Sequence, residues 1–188
     1  DVNEFWNGAY FWRASEASAP HNLFTSSTEW QRFARAESHI RGVPWEPWQF
    51  ALVSNIAISS LATRGVTIPF ASNYQVAWRY DAAARAYQRS VETGKDATSA
   101  GAPLTATTII VQFTGMKTID EEGRKEINTV GSGPAKFFWE GFMLQGRWSK
   151  AKNGRTRFYT TKGDEIIFAP GRVWVTLVPV GTELQITN

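Results

Sequence analysis

The sequence predicts an α+β protein, predominantly antiparallel β, folded as a sandwich or partly closed barrel with an N-terminal aromatic α/β segment. Three observations carry this expectation: seven or eight short runs rich in β-branched and aromatic residues beyond Gly65, turn residues between those runs, and one strongly signalled helix before them. The expected organisation is residues 1–65 as an N-terminal α/β domain and 66–188 as a β-rich C-terminal domain, with Gly65 as the seam.

Phe5 to Phe24 reads as an aromatic loop punctuated by Asn7-Gly8 and Pro20. Ser26 with Glu29 three residues on is a capping box, and Trp30, Phe33, Ala34 and Ile40 share a helical face. His39 and Arg41 suit a helix C-terminus and Gly42 supplies a stop, which predicts a helix over about residues 27–41. Two prolines in Val43 to Phe50 argue for an extended connector, while Phe50 to Ala62 fits either a buried strand with a turn or a short helix.

Val76, Trp78 and Tyr80 alternate with Ala77 and Arg79, giving a half-buried strand that ends at Asp81 and returns through Ala86 to Arg89. Thr105 to Phe113 is β-branched and nearly free of polar residues, as expected of a central strand. A charged turn at Asp120 to Gly123, a strand near Ile127 to Val130 and a Gly131-Ser132-Gly133-Pro134 turn come next. Lys136 to Trp139 and Phe142 to Ser149 follow, with Asn153-Gly154 expected as a two-residue hairpin turn. Arg157 to Thr160, Glu165 to Ala169 and Val173 to Pro179 complete the set. In the last, Val173, Val175 and Leu177 face one way and Trp174 and Val178 the other, so it should lie inside a sheet covered on both sides.

A chain of 188 residues can bury roughly 70% of its extended surface, and 43% apolar with 20% charged residues is a globular composition. Nine Trp, twelve Phe and five Tyr can fill a core with few residues or line a ligand groove. A formal charge of +3 with the signs interspersed is too mild to imply a nucleic-acid partner. Without cysteine there are no disulfides, no thiolate chemistry and no sulfur-ligated zinc. The longest apolar stretch, Phe50 to Ala62, is shorter than a bilayer span and interrupted by polar residues.

The search for chemistry returns little. His21 and His39 stand eighteen residues apart without metal-ligand spacing, so no metal and no cofactor are expected. No serine occupies a nucleophile elbow, and Gly131-Ser132-Gly133 lacks the lysine and helix of a phosphate loop. Glu46 between Trp45 and Trp48 lacks the second acid that glycoside hydrolysis needs. No catalytic residue is therefore assigned. The candidate ligand-binding residues are Trp12, Arg13, His21 and Asn22, which bring an aromatic ring, a guanidinium fork, an imidazole and a carboxamide into one loop. The alternative is local: His21 and Asn22 bonding loop backbone, Arg13 pairing with an acid such as Glu16.

These residues also carry a family likeness. FWR followed by APHNLFTS, then WRYD, YQR, DEEGRKEI, VGSGPAKFFWEG, GRWSK and FAPGRVWVTLVP resembles, in order and spacing, the bacterial YerB-like lipoproteins, a family of unknown function. The resemblance implies an extracytoplasmic cell-envelope protein anchored through an N-terminal lipid on a Cys. This sequence lacks that Cys and the expected start of the N-terminal domain, and so resembles a fragment or processed product. It also has Thr108 where the family suggests Asn, and only GKDATSAGAP where a His-containing segment is usual. The resemblance implies no activity and no cofactor. The expected function is non-enzymatic binding of an envelope partner protein or a peptidoglycan-type glycan, with Trp6, Trp12, Trp45 or Trp48 supplying exposed rings. The alternative is a cell-wall hydrolase or transferase with His21 as general base and Arg13 as anion clamp.

Overall fold

The computed structural model describes residues 3–37, 46–52, 61–91, 94–95 and 101–188. The chain divides into two compact units, Asp1–Glu46 and Pro47–Asn188. Gly65, the expected seam, opens a strand within the second of them.

The first unit contains helix α1 (Glu4–Asn7), a 3-10 turn (Gly8–Tyr10), strands β1 (Trp12–Arg13) and β2 (Leu23–Phe24), and helix α2 (Ser27–Ala36). The Asn3 side chain caps α1 by accepting from the Phe5 and Trp6 amides. Ser26 Oγ accepts from the Glu29 amide at 3.2 Å, the cap that the sequence predicts for α2. Phe33 is buried and meets Tyr10 edge-on at 5.2 Å. Trp30, expected on the same covered face, is 49% exposed. The helix stops at Ala36; His39, Ile40 and Gly42, which were to carry and end it, lie outside the described residues.

The second unit is built from strands β3 (Leu61–Ala62), β4 (Gly65–Ala71), β5 (Tyr74–Asp81), β6 (Ala86–Val91), β7 (Gly94–Lys95), β8 (Thr105–Ala106) and β9 (Thr108–Thr114). After them come β10 (Met116–Thr118), β11 (Lys125–Ile127), β12 (Gly131–Trp139), β13 (Phe142–Lys150), β14 (Arg157–Thr160), β15 (Val173–Pro179) and β16 (Gln185–Thr187). One sheet runs β14-β13-β12-β9-β15 with β3 on β13; the other runs β16-β4-β5-β6-β7 with β8 on β6. Val66, Ile68, Val76, Trp78 and Tyr87 from the second sheet pack with Ile109, Val111, Phe138, Met143 and Val178 from the first. This buried layer makes the fold a sandwich, the first of the two architectures expected.

The first sheet is covered on its other face as well. Ile110, Phe137, Leu144 and Trp148 pack there with Phe158, Ile166 and Phe168, and Trp48 joins them. All seven residues of β9 are consequently buried, as its unbroken apolar pattern predicts. The second sheet has one buried and one polar face, which is why its strands alternate.

Four expectations need correction. Residues 131–134 are not a turn but the start of β12, because Gly133 must lie flat under the Trp148 indole: a Cβ there would stand 2.7 Å from Trp148 Nε1. The preceding strand, expected near Ile127 to Val130, lies earlier, at Lys125–Ile127. The two-residue hairpin turn is Glu140-Gly141, with φ of 46° and 77°, rather than Asn153-Gly154. Asn153-Gly154 sits in a longer loop that serves Trp48: the indole donates to the Thr156 carbonyl at 2.8 Å and Arg155 lies 4.1 Å over the ring. Glu165 to Ala169 makes only isolated bridges, Tyr159 with Glu165 and Phe50 with Phe168. Finally, β15 is not an inner strand. Among the described residues it pairs with β9 alone, in parallel, at the sheet edge. On one of its faces Val173 and Val175 are partly buried, and on the other Val178 is buried while Trp174, 5.2 Å from Trp78, stays 36% exposed.

Hairpin β5–β6 holds a measurable feature. Asp81 Oδ1 accepts from the Ala83 and Ala84 amides to shape its turn, and Tyr87, fully buried, accepts from the Gly141 amide at 3.1 Å through its hydroxyl oxygen. Burial pushes the Tyr87 phenol well above its usual range. The folded state thus keeps a proton that the unfolded state releases above pH ~10, so this contribution is complete below that pH and falls as pH rises, by up to about 1.4 kcal/mol per unit. Tyr87→Phe should cost about 1 kcal/mol at neutral pH. It should also flatten the alkaline decline in urea midpoint, and an unchanged decline would assign that loss to other groups.

Candidate functional site

In the first unit, β1 and β2 pair antiparallel with Trp12 opposite Phe24 and Arg13 opposite Leu23. Alternation along a strand then puts Trp12 and Phe24 on one face of the ribbon and Arg13 on the other. The two rings stack at 6.4 Å with 23° between planes, and each stays nearly half exposed, at 47% and 45%.

Arg13 is held between α1 and the ribbon loop. Its Nη2 donates to both carboxylate oxygens of Glu4 at 2.6 Å and its Nη1 donates to Asn22 Oδ1 at 2.8 Å. Asn22 Nδ2 in turn donates to the Ala14 carbonyl at 3.3 Å, while the Ala14 amide donates to the Asn22 carbonyl at 2.9 Å. The local alternative thus describes Arg13 and Asn22, with Glu4 in the place expected for Glu16. A guanidinium already forked onto a carboxylate has little left for an incoming anion.

His21 stands apart on an exposed turn that follows the cis Ala19–Pro20 peptide, its amide donating to the Ser18 carbonyl at 3.0 Å. Among the described residues no group hydrogen-bonds its imidazole, so the second polar group that a general base requires is not within reach. Of the four predicted residues, the fold joins Arg13 with Asn22, turns Trp12 to the ribbon face opposite Arg13, and places His21 on a separate exposed turn. The residues that sequence reasoning missed are Phe24 and Glu4. Strand pairing across residues 14–22 brings Phe24 to Trp12, and the only sequence signal for it is the aromatic at each end of a Pro-containing loop.

Other exposed rings cluster in the same unit: Phe5 at 83% and Trp6 at 84% on α1. Trp48 is packed against Phe158 and Phe168, and Trp45 lies outside the described residues. A cavity of about 640 Å³ lies along the β10–β11 ribbon between Gly115 and Val130, beside the ion pair of Lys117 with Glu126 at 2.6 Å. Among the described residues no three His, Asp or Glu side chains gather to hold a metal ion, and no helix is long and apolar enough to cross a membrane. Thr108, at the position where the family suggests Asn, is buried, and its hydroxyl has no partner among the described residues.

Residues 66–175 match the domain described as "Protein of unknown function (DUF3048) C-terminal domain". A Bacillus subtilis (strain 168) protein named "Putative lipoprotein YerB" is 26% identical over 181 residues, covering 93% of this chain and 53% of the relative. The crystal structure of the YerB protein from Bacillus subtilis superimposes with a TM-score of 0.81 at 24% identity, covering all of this chain and 63% of that one. The chain therefore spans between about half and two thirds of the length of the relatives it matches.

Proposed function

The chain belongs to the DUF3048 family, as a YerB-like protein, and from that premise we propose that it is a non-enzymatic part of an extracytoplasmic cell-envelope lipoprotein that binds cell-wall glycan. The lipoprotein name belongs to the relative, and it supports an envelope location and a lipid anchor in the full-length protein. The observation that carries the glycan reading is the stacked Trp12–Phe24 pair. Two aromatic faces half in water on a short ribbon are what a pyranose ring stacks upon, since its axial C–H groups meet the negative π-face. The enzymatic alternative has no comparable support, with Arg13 held by Glu4 and His21 out on a turn.

Titrating the full chain with soluble peptidoglycan fragments while following tryptophan fluorescence tests the proposal. Trp12→Ala should weaken binding at least tenfold, about 1.4 kcal/mol or more. Phe24→Ala should do so less strongly, and the exposed site should leave the thermal midpoint nearly unchanged. Binding indifferent to both substitutions would remove the glycan from this ribbon. The protruding Phe5 and Trp6 favour a second reading, an envelope protein as partner. In that case Trp6→Ala, not Trp12→Ala, abolishes association.

A further inference from the structure

The polar face of the β16-β4-β5-β6 sheet carries a groove that sequence reasoning did not anticipate. The strand registers place two adjacent rows of side chains across it. One row reads Thr187, Gly65, Arg79 and Gln88; the next reads Gln185, Thr67, Ala77 and Ser90. Gly65 and Ala77 sit in the middle of their rows with the least side chain possible, so the sheet is low there and its hydroxyl, amide and guanidinium groups stand around the depression.

The resulting cavity measures about 280 Å³ and is lined by Arg64 as well as Arg79. A second depression of about 130 Å³ shares Thr67, Ala77 and Ser90 with it and reaches Gln75. From Arg79 to Gln75 the groove follows β5 for about 13 Å, at 3.3 Å per residue.

Among the described residues neither guanidinium has a carboxylate or hydrogen-bonding partner, although the protein pairs Arg13, Arg85, Arg124 and Arg157 with acids. The acid two positions along β5, Asp81, has Oδ1 committed to the Ala83 and Ala84 amides. Two arginines that line the groove without a partner among the described residues, beside a row of hydroxyl and amide groups, are complementary to an oxyanion attached to a polyol. We infer that this groove binds a linear acidic glycan or polyol polymer, its phosphate or carboxylate on Arg64 and Arg79 and its hydroxyls on Thr67, Gln88 and Ser90. This site is separate from the Trp12–Phe24 ribbon and does not depend on it.

The test is calorimetric titration of the full chain with poly(glycerol phosphate), polygalacturonate and neutral dextran. Binding of one or both anionic polymers, weakened by added salt and absent for dextran, is expected. Binding of the first alone identifies a phosphodiester and of the second alone a uronate. Arg79→Gln and Arg64→Gln should each weaken it about tenfold and the double substitution should abolish it, whereas Arg79→Lys retains part and Trp12→Ala retains all. All of these sites are on the surface, and unchanged circular dichroism of each variant confirms that the sheet is intact. Dextran binding equal to that of the polyanions, anion binding unaffected by the double substitution, or no binding of either polyanion would overturn the inference.

Discussion

Trp148→Ala is expected to destabilise the protein by about 4 kcal/mol and to lower its urea midpoint by roughly 2 M. Trp148 is 2% exposed and sits on the face of the first sheet that packs with Phe137, Phe158 and Phe168. Its indole Nε1 also donates to the Phe113 carbonyl at 2.7 Å, crossing over Gly133 to do so. Truncation therefore combines a large cavity with a lost buried hydrogen bond, two costs that add because the rigid sheet cannot collapse into the space. Trp148→Phe separates them: it keeps most of the volume, loses the donor, and should cost about 1–2 kcal/mol. Equal midpoints for the Ala and Phe variants would show that the hydrogen bond, not the packing, carries the stability.

Gly146→Ala should cost about 3 kcal/mol, although it adds only one methyl group. A Cβ at this position would stand 2.2 Å from the Tyr159 carbonyl oxygen and 2.9 Å from Phe137 Cε2. The first neighbour is backbone in a paired strand and the second is a core ring, so neither can give way cheaply. The expected response is separation of β14 from β13, seen as faster amide exchange at the paired positions Phe158 to Thr160 together with a lower midpoint. Gly115→Ala is the control, since its Cβ would meet only Asn128 Cβ at 3.7 Å and should change stability by less than about 0.5 kcal/mol. If both variants unfold alike, the close approach at Gly146 is not what requires glycine.

Much of the local structure followed from local sequence. The Ser26 cap, the β5–β6 hairpin with its return through Ala86, and the fully buried β9 each depend on residues within a few positions of one another, and each was legible. The errors have a common origin in partners distant along the chain. Gly131 to Pro134 reads as a turn because glycine and proline usually mean one, but Trp148 lies fifteen residues beyond Gly133 and makes the glycine a packing requirement. In β15, apolar residues on both faces indicated cover on both sides, which is complete at Val178 and incomplete at Trp174. Its position at the edge depends on parallel pairing with β9, some sixty residues away, which no local pattern encodes.

The candidate sites divide in the same way. Residue types alone nominated Trp12, Arg13, His21 and Asn22, yet charge pairing with Glu4 and strand alternation distributed them among different faces. The groove with Arg64 and Arg79 was invisible, because its two rows are assembled from four strands, one of them the last in the chain.

By itself the sequence determined the β-rich class, the cap of α2 and the alternation or continuity of individual strands, since these express backbone propensity and burial within a short window. Only the tertiary structure decided sandwich over barrel, which glycines are spaces rather than turns, and which arginines line the groove. Those depend on long-range register, and one residue of slip would turn every side chain of a strand to its other face.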